Sequence, residues 1–113
     1  MWIPAPDEAL FVGVLRLVLR VPGSRSLKDR RRVVASVRDR AQARHHVAFA
    51  EIGHLEAHDR AVLAFSALGN DPRQVRARLD ALRGDVETTA DALIVDAAVE
   101  ILSLKGDSKF VPS

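Results

Sequence analysis

The stretch Leu10–Val34, LFVGVLRLVLRVPGSRSLKDRRRVV, joins a strand pattern to a helix pattern. In its first half, apolar residues alternate with Arg16 and Arg20, which is the period-two signature of a β-strand. The Pro-Gly-Ser sequence at 22–24 is a turn signal and ends this pattern. The stretch therefore predicts a strand over 10–21 that is followed by a change of direction.

The helix predicted after this turn, over residues 27–44, is amphipathic. Ser26 has the character of an N-cap, and Asp29 follows three residues later as in a capping box. Arg30 projects into the apolar stripe, so it must extend past the helix end or find a partner. The stripe consists of Leu27, Val33, Val34, Val37 and Ala41.

Two further strands, a second helix and a fourth strand complete the pattern. Strands over 46–54 and 60–68, joined by a short polar link, predict a hairpin. Asp71 as N-cap and Pro72 at the first helical position start the second helix, and residues 92–102 alternate again as a strand. The order β-α-β-β-α-β predicts a ferredoxin-like α+β fold, with two helices on one face of a four-stranded antiparallel sheet.

This arrangement predicts one hydrophobic core between the sheet and the helices. A chain of 113 residues is long enough for a single domain. We expect that domain to span 10–103, with an N-terminal extension over 1–9 and a polar tail over 104–113. The residues expected in the core are Leu15, Leu17, Leu19, Leu27, Val34, Val37, Val75, Leu79, Leu82, Val95, Val99 and Ile101.

The other face of the sheet has no helix to cover it, and strand alternation assigns apolar residues to it. If the second strand keeps the parity of the first, the set includes Val12, Val14, Val18, Val47, Phe49 and Glu51. Such a face is too apolar to remain exposed to solvent. We expect a homodimer that packs through Val12, Val14, Val18 and Phe49, or a tail around Phe110 that covers the face.

The basic residues are concentrated around the start of the first helix. Residues 16–44 contain ten Lys or Arg residues against Asp29 and Asp39, a net charge of +8, whereas the rest of the chain carries −6. The helix dipole disfavours cations at this end, and the backbone amides of a turn before a helix can hold a phosphate. These features predict an anion-binding patch, assisted by Ser24, Ser26 and neighbouring amides. Its residues are Arg20, Arg25, Lys28, Arg31, Arg32 and Arg38.

Two sequence segments resemble the YlxP-like family of small bacterial proteins, a domain of unknown function. They are GVLRLVLRVPGSRSLKDRRRVVASVRDR and VAFAEIGHLEAHDRAVL, and the similarity covers roughly residues 12–102. The resemblance implies a ferredoxin-like fold. Because genes of this family often lie beside those for translation initiation and ribosome-binding factor A, it also implies a role around the ribosome. The chain departs from the family at His58, where relatives tend to carry tryptophan.

Several kinds of chemistry lack a sequence signal. The chain has no cysteine, no run of about 18 apolar residues and no nucleotide-binding or nucleophile motif. His54 and His58 are four residues apart across a turn, a spacing that does not force metal ligands to converge. The N-terminus has no basic region typical of a signal peptide. We therefore expect a cytoplasmic protein without catalytic residues, cofactor, metal or membrane segment.

The sequence favours a non-enzymatic binding protein for RNA or a ribosomal particle, with the basic patch contacting phosphates. One alternative is a homodimeric adaptor whose basic helix binds an acidic protein. Another is a small metal-binding or ligand-binding enzyme, and the basic run is also compatible with a solvated helix face.

Overall fold

The computed structural model describes residues 4–104 and has the element order that the sequence predicts. The four strands form one sheet in the order β2-β3-β1-β4, in which every neighbouring pair is antiparallel. The fold is therefore the ferredoxin-like α+β arrangement. The elements are β1 Phe11–Arg20, α1 Leu27–His45, β2 Ala48–Gly53, β3 Arg60–Gly69, α2 Pro72–Thr89 and β4 Leu93–Ser103.

The connection from β1 to α1 forms as its sequence predicts. The amide of Ser24 donates to the Val21 carbonyl at 3.3 Å, and Gly23 has φ +79°, which the third position of a type II turn requires. Ser26 then caps the helix, since its hydroxyl accepts from the Asp29 amide at 3.1 Å. The Asp29 carboxylate accepts in return from the amide of Arg25 at 3.2 Å, one residue before the cap.

The core lies between the helices and one face of the sheet. The three leucines of β1 are fully buried, which confirms the parity assigned to that strand. Three of the expected core residues, Leu27, Val99 and Ile101, are only half-buried. The other expected residues that are buried are Val34, Val37, Val75, Leu79 and Leu82.

Val95 is not in the core, because β4 contains a register shift. Val18 faces Asp96, but the next residue of β1, Leu19, faces Ile94. Ile94 therefore packs against the core, and Val95 is 58% exposed. A bulge adds one residue to a strand and reverses the faces beyond it.

The parity expected for β2 is also wrong. Phe49 faces Phe65 across the β2–β3 ladder, the ring centroids are 5.5 Å apart, and Phe65 is buried in the core. Val47 is buried and Glu51 contacts a helix residue, so all three lie on the covered side. Val47 and Phe49 pack against the core because burial of apolar surface is favourable. Ala48 and Ala50 therefore lie on the uncovered face.

The uncovered face carries Val12, Val14 and Val18, each half-buried. Exposed large apolar side chains extend it at the strand ends: Leu68, Leu93, Val95 and Leu102. The tail around Phe110, expected as one possible cover, lies outside the described residues. Within residues 4–104, neither helix combines the length and the apolar character needed to cross a bilayer.

Candidate anion-binding surfaces

Three of the predicted cations form one exposed surface on α1, which we call the helix surface: Lys28, Arg31 and Arg32. They occupy the first two turns and are exposed, whereas Val34 and Val37 of the same helix are buried. Within the part of the chain that the structure describes, none of the three has a hydrogen bond or an ion pair from its side chain. Their charges are therefore available to an external anion.

Arg25 and Arg38 extend the basic region at either end of the helix surface. Arg25 precedes the helix and its side chain is exposed. Arg38 lies two turns after Arg31, and its Nε contacts a carboxylate oxygen of Asp39 at 2.9 Å. Both partners of this pair are well exposed, so it contributes at most about 1 kcal/mol and an incoming phosphate can replace it.

The hydroxyls of the two serines and some of the nearby amides have partners in the helix cap and the turn. The Ser26 hydroxyl accepts from Asp29, and the Ser24 hydroxyl donates to the Ser26 carbonyl at 3.2 Å. The amides of Ser24 and Arg25 also have local acceptors. Assistance from Ser24 or Ser26 and the adjacent amides therefore stays a prediction, and the charged side chains are the exposed groups that attract an anion.

Arg20 is separated from the helix surface. It ends β1 on the uncovered face of the sheet, whereas the helix surface lies on the outer side of the helix layer. Its direct neighbour across the β1–β3 ladder is Arg60, which is also exposed. The predicted patch is thus divided into the helix surface and a second pair of cations, Arg20 and Arg60.

Sequence reasoning missed Arg60, although a signal for it existed. In a β-α-β-β-α-β fold, β1 and β3 are antiparallel neighbours, so the end of one strand meets the start of the other. Arg20 is the last residue of β1 and Arg60 is the first of β3. Their meeting therefore follows from the topology rather than from any local pattern.

Arg30, which lies in the apolar stripe of α1, has partners for its buried side chain. Its side chain is buried, and its Nη2 donates to Glu51 Oε1 and to the His54 carbonyl at 2.9 Å. Its Nε donates to the Arg60 carbonyl at 2.6 Å. A buried charge requires such compensation, so this arginine serves the fold and is not available to a ligand.

The histidines do not form a metal-binding cluster among residues 4–104. In that range, no group of three or more His, Cys, Asp or Glu residues is placed to hold a metal ion. His58 Nδ1 lies 3.1 Å from the Ser24 carbonyl, and His45 Nε2 lies 2.9 Å from a carboxylate oxygen of Asp85. These contacts connect loops and helices of the fold.

Comparison with known proteins places the chain in a family. No curated protein matches it. Among solved structures, the de novo designed protein Foldit4 is similar with a TM-score of 0.43 and 10% identity, over 85% of this chain and 96% of that one. At that level the likeness carries no argument. Residues 12–99 match the family described as "Protein of unknown function (DUF503)", and the chain belongs to that family.

Proposed function

We propose that this protein is a non-enzymatic, cytoplasmic RNA-binding module that attaches to RNA or to a ribosomal particle through the helix surface and the adjoining Arg25. One observation carries the proposal. The segment from Arg25 to Arg32 contains five cations, and the fold neutralises only Arg30. The other four are exposed, and a fold without an anionic partner has no need to concentrate them at a helix N-terminus.

The chemistry of these four residues suits a phosphate backbone. Arginine presents a planar fork that can donate two hydrogen bonds to one phosphate, and lysine adds a mobile point charge. Contacts of this kind hold nucleic acid without reading its sequence. The resemblance to the YlxP-like family, with its gene neighbours in translation, supports a ribosomal RNA as the partner.

The uncovered face does not support base stacking as a second RNA-binding mode. Sheet-face recognition of single strands depends on exposed aromatic rings. β1 presents valines there, and Phe49 lies on the covered side. We therefore assign RNA attachment to the helix surface and Arg25 alone.

The test is the salt dependence of binding to a fluorescein-labelled single-stranded RNA, measured by anisotropy. Each neutralised phosphate should add about 0.7 to the slope of log K against log salt, so four contacts should give a slope near 3. Poly-glutamate serves as competitor. If poly-glutamate displaces the labelled RNA as effectively as unlabelled RNA does, the result would favour an acidic protein partner instead. Co-sedimentation with ribosomal particles from the native cells would test separately whether the partner is a ribosomal particle.

A second proposal concerns assembly, because a specific observation favours it. The uncovered face combines half-buried valines with exposed leucines, and a patch of this kind marks an interaction surface. It also carries charges of both signs, with Arg16 paired to Asp96 at 3.5 Å and Glu100 nearby on β4. A twofold interface requires such a self-complementary surface, so we propose that a second copy of this chain covers it.

A further inference from the structure

A cleft of about 260 Å³ lies at one end of the uncovered face, away from the helix surface. Arg20, Arg60 and His54 provide its polar lining, and Val18 and Val95 provide an apolar wall. The cleft is at the opposite end of β1 from Val12 and Leu102. It is therefore separate from the helix surface, and it shares Val18 and Val95 with one end of the uncovered face.

The two arginines of the cleft lie next to each other, so their positive charges repel. Arg20 and Arg60 are direct partners in the antiparallel β1–β3 ladder, and like charges at such positions destabilise a sheet. Within residues 4–104, neither side chain has an ion-pair partner. Arg16, on the same face of β1, does have one in Asp96. Two guanidinium groups thus share one cleft without a counter-charge.

The buried Arg30 fixes the wall of this cleft from the other side of the sheet. It donates to the backbone carbonyls of His54 and Arg60, and both residues line the cleft. His54 has φ +57°, a left-handed conformation that costs a non-glycine residue free energy. The fold therefore fixes the backbone positions from which two of the lining side chains project, which is one element of a preorganised site.

We infer that this cleft binds the phosphate group of a small phosphate ester. The two guanidinium groups are suited to hold its oxygens with charge-assisted hydrogen bonds, and a ring N–H of His54 is suited to add another. Val18 and Val95 then pack against the carbon part of the ester. The volume lies just below the roughly 300 Å³ at which small-molecule pockets begin, so the ligand is no larger than a sugar phosphate or the end of a nucleic acid.

The experiment titrates the full chain with ribose 5-phosphate, and separately with a short RNA that carries either a 5′-phosphate or a 5′-hydroxyl. Calorimetry measures each affinity. Saturable binding of ribose 5-phosphate supports a free ester as the ligand. Binding of the RNA that requires its 5′-phosphate supports a nucleic-acid end as the source of the same group.

The variant Arg20→Gln/Arg60→Gln should weaken phosphate binding by about tenfold or more, since it removes the charged donors. The matched control Arg16→Gln removes a paired cation from the same face and should change affinity less than about twofold. A second variant, Arg20→Lys/Arg60→Lys, keeps the charge and should bind at an intermediate strength. Equal phosphate affinity in the wild type and the glutamine variant, or no saturable binding, overturns the inference.

This outcome is independent of the RNA proposal. Arg31→Glu/Arg32→Glu changes only the helix surface and should leave binding of ribose 5-phosphate intact. The glutamine variant without ligand should also melt at a higher temperature than the wild type, because it relieves the repulsion between opposed cations. A lower melting temperature would show that Arg20 and Arg60 stabilise the fold, which contradicts a role in ligand binding alone.

Discussion

Arg30 and Glu51 form a buried ion pair between the first turns of α1 and the edge strand β2. The Arg30 side chain is 2% exposed, and its Nη2 and Nε also donate to the backbone carbonyls of His54 and Arg60. Arg30 therefore connects the helix to both strands of the β2–β3 hairpin at its loop end.

Replacement of Glu51 by alanine should strongly destabilise the protein. The change leaves the guanidinium of Arg30 buried without a counter-charge, and the loss of one partner of a buried pair costs about 3–5 kcal/mol. Urea denaturation followed by circular dichroism measures the free energy of unfolding. The control Glu56→Ala removes an exposed carboxylate from the β2–β3 loop and should cost less than about 0.5 kcal/mol. Similar small losses for both variants would show that water compensates Arg30.

Gly13 should not tolerate a side chain, because α2 packs directly against it. A Cβ at this position would lie 2.5 Å from Val75 Cγ1 and 2.7 Å from Leu79 Cδ1. Gly13→Ala should therefore lower the free energy of unfolding by about 1–3 kcal/mol. Gly84→Ala is the control, since a Cβ there meets no atom within 4 Å and alanine favours the helix by about 1 kcal/mol. Equal effects of the two substitutions on urea denaturation would mean that α2 moves to accommodate the methyl group.

The fold was predictable because its signals are local. The alternation in β1, the Pro-Gly turn and the Ser26 and Asp71 caps each involve a few consecutive residues, and together they determine the order of elements. The parity of β2 and the position of Val95 were not predictable in this way. Both depend on how a strand aligns with its neighbour, and the bulge opposite Val18 has no distinct sequence signal.

The candidate sites also differ in whether local sequence signals predict them. Helical spacing alone predicts that Lys28, Arg31 and Arg32 are exposed, and that Arg30 needs a partner. Identifying Glu51 as that partner requires knowing which face of the sheet each β2 side chain occupies. The cleft residues come from three strands and the β2–β3 loop, so only the assembled sheet shows that they are close together.

The protein should be a dimer at micromolar concentration, and Val14→Glu should convert it to a monomer. Val14 lies on the uncovered face, where a carboxylate buried between two apolar surfaces would lack a partner. Size-exclusion chromatography with light scattering measures the mass. The control Leu55→Glu places the same charge on an exposed apolar residue of the β2–β3 loop and should leave the mass unchanged. A wild-type chain that stays monomeric at about 100 μM would contradict the proposed interface.

Reversal of charge on the helix surface should weaken RNA binding without unfolding the protein. The double variant Arg31→Glu/Arg32→Glu removes two of the four exposed cations, so the salt slope should fall by about 1.4 on single-stranded RNA. Affinity should fall for every RNA sequence alike, because phosphate contacts do not read bases. Both side chains are exposed, and negative charge near a helix N-terminus is favourable, so the free energy of unfolding should change by less than about 0.5 kcal/mol.

The matched control for this reversal is Arg73→Glu/Arg83→Glu, which makes the same change in net charge on exposed positions of α2. If the helix surface is the binding site, this control should retain most of the affinity and the salt slope of the wild type. Equal losses in the two variants would mean that net charge, rather than a defined surface, attracts the RNA. A large drop in thermal stability for the α1 variant alone would instead assign Arg31 and Arg32 a structural role. Anisotropy titrations of both variants at three salt concentrations, with melting curves recorded in parallel, distinguish these outcomes.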